Sequence, residues 1–119
     1  MSFVEDRIYK IERRYSSFVE DFLVLQITDE TFRLSLSLID GTTLRVTERW
    51  RNGKLLRYSY YWLDSEDKLL IGWDNSPHHD KLENYPHHKH VREQAKRVAS
   101  YEICLEDVME VLEQEISSR

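Results

Sequence analysis

All five histidines of the chain fall within residues 73–90, which read WDNSPHHDKLENYPHHKH. Both prolines, Pro77 and Pro86, lie there too. Imidazole is the side chain whose charge changes nearest neutral pH, so it serves proton transfer and metal binding. The pairs His78–His79 and His87–His88 stand nine residues apart, with His90 two beyond His88. A merely solvated loop gives no reason to gather every imidazole. Acid–base work needs about two of the five. His79 and His88 are the expected pair, with His87 and His90 close behind. Lys89 or Arg57 would meet the negative charge of a transition state. Asp74 and Asn75, at the head of the segment, are expected to hold it or to orient a histidine.

Metal chemistry is the rival. Zinc sites use cysteine and histidine at recognisable spacings, and neither Cys-x-x-Cys nor His-Glu-x-x-His occurs. Adjacent histidines do not easily face one ion. A divalent metal would therefore draw one ligand from His78 and His79 and another from His87 and His88. Asp74, Asp80 or Glu83 would add oxygen. The metal-free reading is preferred, with no cofactor expected.

A second constellation is basic and aromatic. Arg45, Arg49 and Arg51 alternate along TLRVTERW and its next residue, and Arg57 precedes Tyr58, Tyr60, Tyr61 and Trp62. Guanidinium forks suit phosphate, and aromatic faces stack unpaired bases. Arg45, Arg49, Tyr60 and Trp73 are the candidate substrate-binding residues. Alternating arginine is also what the solvent face of a strand looks like, so this signal gains weight only beside the histidines. Glu48 is an inconsistency, because it shares the face of Leu44, Val46 and Trp50. It is either a carboxylate reaching solvent at a sheet edge or one that orients an arginine or histidine. Cys104 reads as a small residue at a helix start, since the acids around it disfavour a thiolate.

The elements that must position these residues follow from period. Val4, Ile8, Ile11, Tyr15 and Phe18 step by 4, 3, 4 and 3, one stripe of a helix. FLVLQI is a short apolar strand. Phe32, Leu34, Leu36 and Leu38 alternate with polar residues, which makes a half-buried strand. Asp40-Gly41 and Asn52-Gly53 are hairpin turns. KLLRYSYYWL and KLLIGW complete about five antiparallel strands. The two prolines predict an irregular histidine segment, and residues 91–101 are ambiguous. Leu105, Val108, Met109, Leu112 and Ile116 then mark a closing helix. The expectation is α+β: an antiparallel meander packed with an N-terminal and a C-terminal helix.

At 119 residues the chain is read as a single domain, 1–119. One cysteine excludes an internal disulfide framework and fits a cytoplasmic protein. No apolar run is long enough to span a membrane, and the charged N-terminus is not a signal peptide. The net charge of −5 argues against nucleic acid until it is located. Residues 102–115 hold six acids and no base, so the remainder carries 17 bases against 16 acids. A near-neutral body can still bear a basic face.

Four motifs then come together: Tyr58–Tyr60, Trp73–Asn75, Pro77–His79 and Pro86–His90. With the leading helix and the closing LEDVMEVLEQEI, the chain resembles the TumE family of toxin–antitoxin proteins over most of its length. Two positions depart from the family pattern, Gly72 where a basic residue is expected and Tyr61 where a polar one is. The resemblance implies a toxin with a cognate antitoxin encoded nearby, and RNA as the expected target. The leading expectation is a metal-independent endoribonuclease. The alternatives are a metal-dependent nuclease or hydrolase using the same histidines, and a non-enzymatic binding module. The acidic last helix suggests a shield for the arginine face, in cis or across a homodimer.

Overall fold

A computed structural model of the chain describes residues 2–77, 85–92 and 97–118. Helix α1 (Phe3–Arg14) leads into β1 (Val19–Ile27), β2 (Thr31–Leu38), β3 (Thr43–Arg51), β4 (Lys54–Leu63), β5 (Leu69–Asp74), β6 (His88–Val91) and β7 (Arg97–Ala99), and α2 (Leu105–Ser117) closes the chain. The strands form one sheet in sequence order. Every neighbouring pair is antiparallel. The α+β class and the meander agree with the sequence. The strand number is seven rather than about five, because residues 88–91 and 97–99 add two strands.

Each helix is placed by its stripe. In α1, Val4, Ile8 and Ile11 are buried, and a capping box secures the start. The Ser2 side chain accepts from the Glu5 N–H, while the Glu5 carboxylate accepts from the Ser2 N–H. Tyr15 and Phe18 continue the buried stripe past the helix end. In α2, Leu105, Val108, Met109 and Leu112 are buried, and Glu106 and Asp107 lie in the first turn, where the helix dipole favours them. Cys104 is the N-cap of α2, with burial pushing its thiol up.

Cross-strand partners share a face, so the register sorts the sheet. Phe32–Glu48–Tyr58 and Leu34–Val46–Tyr60–Trp73–Lys89 are two rows of one face. The apolar members of these rows join both helices in one core cluster. The other face carries Arg33–Thr47–Ser59–Asp74–His88–Ala99 and, beside it, Ser35–Arg45–Tyr61–Gly72–His90. Both helices therefore lie on one side and the arginines on the other. This overturns shielding of the arginine face in cis by α2.

Glu48 is wholly buried on the helix face, which rules out a solvent-reaching edge carboxylate. It accepts from Arg7 Nε at 3.1 Å and Nη2 at 3.2 Å, from Trp50 Nε1 at 2.8 Å and from the Tyr60 hydroxyl at 2.6 Å. Arg7 also donates to both oxygens of Glu106 on α2. Burial would lower the Arg7 pKa, but its bonds to Glu106 and Glu48 more than offset that and raise it. The same bonds hold Glu106 low against its own burial. Glu48 does orient an arginine, but one that ties α1 to β3 and α2. It is not a loop-orienting group for the histidines.

Candidate functional site

The sequence HKHV is a period-2 pattern, and β6 obeys it. His88 and His90 project from the outer face, and Lys89 projects towards the helices. The expectation of an irregular segment fails here. Only Pro86 limits the strand, and β6 begins two residues after it. Opposite His88 in the register stands Asp74, the last residue of β5. Its Oδ1 lies 2.7 Å from His88 Nε2, and its Oδ2 lies 2.8 Å from His90 Nε2. The Ser76 N–H donates to Oδ1 at 3.0 Å, so the carboxylate also fixes the turn that leaves β5. The two imidazole rings meet edge to face, with centroids 5.0 Å apart. His88 and His90 are each 3 % exposed and Asp74 is 5 % exposed.

The bonding of His88 fixes its orientation. Nδ1 faces the Pro86 carbonyl at 3.1 Å and Nε2 faces the carboxylate. Together the carbonyl and the carboxylate hold the ring from both of its nitrogens. His90 donates from Nε2 to Asp74, which orients its ring as the aspartate of a catalytic triad orients its histidine.

His87 faces the other way. Its Nδ1 lies 2.8 Å from the Tyr58 hydroxyl, and the two rings stack with centroids 5.8 Å apart. Burial, with the Asp74 charge, raises the Tyr58 pKa. The phenol therefore keeps its proton. Burial and the neighbouring His88 hold the His87 pKa down. Tyr58 is not among the candidates that the sequence suggests, although its register opposite Glu48 puts it near the core.

The remaining candidates divide between the faces. Arg45, Arg49 and Arg57 lie on the outer face, with Arg49 directly opposite Arg57. Asn75 accepts from the Tyr58 N–H at 2.9 Å and donates to the Leu56 carbonyl at 3.1 Å, tying the turn after β5 to β4. Lys89 is on the helix face, 3.5 Å from Glu102, and so is turned away from His88 and His90. Tyr60 and Trp73 are wholly buried. The Trp73 Nε1 donates to Glu102 at 3.1 Å. Aromatics that fill the core offer no face to a base, so the stacking expected of these two is corrected. His78 and His79, with Asp80 and Glu83, lie outside the described residues.

For a metal, the described residues bring together Asp74, His88 and His90, whose ligand atoms all lie within 4.8 Å of one another. His90 replaces His87 in the set expected from sequence, because His87 is committed to Tyr58.

These features define a small α+β protein with helices on one face of an antiparallel sheet and a buried histidine–aspartate cluster on the other. Residues 5–119 match the family described as Toxin TumE, and the chain belongs to that family. Membership in a toxin family implies a cognate antitoxin. No curated protein and no solved structure gives a significant match. No helix among the described residues is long and apolar enough to cross a membrane.

Tyr61 and Gly72 are partners, opposite each other across β4 and β5. A Cβ on Gly72 would lie 2.5 Å from Tyr61 Cδ1 and 2.7 Å from Cε1. The Tyr61 ring covers the glycine in the same cross-strand row as His90.

Proposed function

We propose that the chain is the toxin of a toxin–antitoxin pair and that it cuts RNA without a metal, with His90 as the base. RNA carries its own nucleophile. The base removes the proton of the 2′-OH, and that oxygen attacks the adjacent phosphorus. The P–O5′ bond then breaks, and an acid protonates the departing oxygen. The products are a 2′,3′-cyclic phosphate and a 5′-hydroxyl. Asp74 engages Nε2 of His90 and so orients the ring that would take the proton. His88 stands beside it on the other oxygen of the same carboxylate. The acid is assigned to His79 on sequence grounds.

The observation that carries this reading is the carboxylate of Asp74 held between two histidines on the face that also bears the arginines. The family adds the toxin role. A second reading has one specific observation behind it, since Asp74, His88 and His90 would also suit a divalent metal with two imidazoles and a carboxylate.

The test is incubation of the purified protein with single-stranded RNA and with DNA of the same sequence. RNA is expected to be cut and DNA to remain whole, because DNA lacks the attacking hydroxyl. Cleavage of neither, or of both, would refute the mechanism.

A further inference from the structure

Arg49 and Arg57 stand directly opposite each other on β3 and β4. Like charges in that position are destabilising, and the described residues do little to relieve them. Glu30 lies 4.0 Å from Arg49 but is engaged at 3.0 Å by Arg51. Among the described residues, no carboxylate lies within ion-pair distance of Arg57. The two guanidinium groups open on a shallow pocket of about 200 Å³ that Thr47, Ser59, Asn75 and Ser76 also line. With Tyr58 completing the wall, the lining offers two guanidinium groups, hydroxyls and an amide, with no acid. Guanidinium forks and hydroxyl donors of this kind suit a phosphate oxygen.

The pocket has a fixed relation to the histidines. Ser59, Asp74 and His88 are consecutive members of one cross-strand row, and Arg57 is two residues from Ser59 on the same face. His88 is therefore two strands from β4, on the order of 10 Å. That spacing suits a phosphate next along the strand to the one at the histidines.

We propose that this pocket binds a backbone phosphate of single-stranded RNA, next to the one that would be cleaved at His90. The proposal rests on the RNA reading above for its substrate, but it concerns binding and is tested without cleavage. It also explains why two arginines are kept face to face: repulsion between them is relieved when the anion binds.

The test uses the full-length protein and a labelled 2′-O-methyl oligoribonucleotide, which has no attacking hydroxyl. Arg49→Ala and Arg57→Ala are each expected to weaken binding about 5- to 10-fold. Each should also flatten the slope of log K against log salt by about 0.7, the value for one phosphate contact on a single strand. Both variants should melt at or above the wild-type temperature. Arg13→Ala, on the exposed side of α1, should bind like wild type. Affinity and salt slope that survive Arg57→Ala overturn the proposal, as does a wild type that fails to bind the oligomer. Inorganic phosphate that displaces the oligomer at equal concentration would make the pocket a site for the free anion and overturn the RNA assignment. RNA that is bound through these arginines but never cut leaves the pocket standing and removes the nuclease. RNA that is cut equally by the double variant does the reverse.

Discussion

His90→Gln is expected to lower RNA cleavage by about 10²-fold or more, because it removes the group that takes the 2′-OH proton. The glutamine amide can still donate to Asp74, so stability should change by less than about 1 kcal/mol. His88→Ala is different. It removes one of the two imidazoles on the buried Asp74 carboxylate, along with a contact to the Pro86 carbonyl. Activity should fall, but unfolding should also become easier by about 3 kcal/mol, because buried acceptors on Asp74 and Pro86 lose their partner and a ring-sized cavity is left. Cleavage kinetics and urea melts on the two variants separate the effects. Full activity in His90→Gln would remove that residue from the chemistry.

The second large effect lies on the opposite face of the sheet. Glu48→Ala should destabilise the protein by about 3–5 kcal/mol, since it leaves the Arg7 charge half-compensated and strips partners from Trp50 and Tyr60. For a chain of this size that is a drop in Tm of roughly 10–20 °C. Glu48→Gln, which keeps the volume and an acceptor for Tyr60, should cost less. It should cut RNA at the wild-type rate at a temperature where it is folded. Arg7→Ala combined with Glu48→Ala should cost less than the two single changes together, because both break the same pair. Loss of stability below about 1 kcal/mol in Glu48→Ala would mean that the network does not hold the helices to the sheet. Loss of activity in folded Glu48→Gln would mean that Glu48 serves the reaction after all.

The two helices and the first five strands are legible in the sequence because each has a single period and one buried face. Val4, Ile8 and Ile11 mark α1 in this way, and Leu34, Leu36 and Leu38 mark β2. The hairpin turns at Gly41 and Gly53 are as clear, and there the left-handed backbone that glycine favours is observed. The sixth strand is hidden because two prolines outweigh a four-residue alternation. Its sheet partner, β5, lies earlier in the chain and leaves no local mark on HKHV. Read as a strand, HKHV puts His88 and His90 together and turns Lys89 away. The role of Glu48 is legible only by half. Its misfit among apolar residues signals a buried partner, but the partner, Arg7, sits 41 residues away on a helix whose position depends on packing. Tyr60 and Trp73 read as substrate residues because aromatics near arginines fit nucleic acid as well as they fit a core. Only the register, which sets their parity against Glu48 and Lys89, separates the two.

The central claim is that histidines held by Asp74 cut RNA without a metal. It is tested most directly by following cleavage of a short RNA in excess chelator and determining the ends of the products. The account predicts an unchanged rate and products that end in 2′,3′-cyclic phosphate. Cleavage that stops in chelator and returns with an added divalent ion would contradict it and make Asp74, His88 and His90 metal ligands.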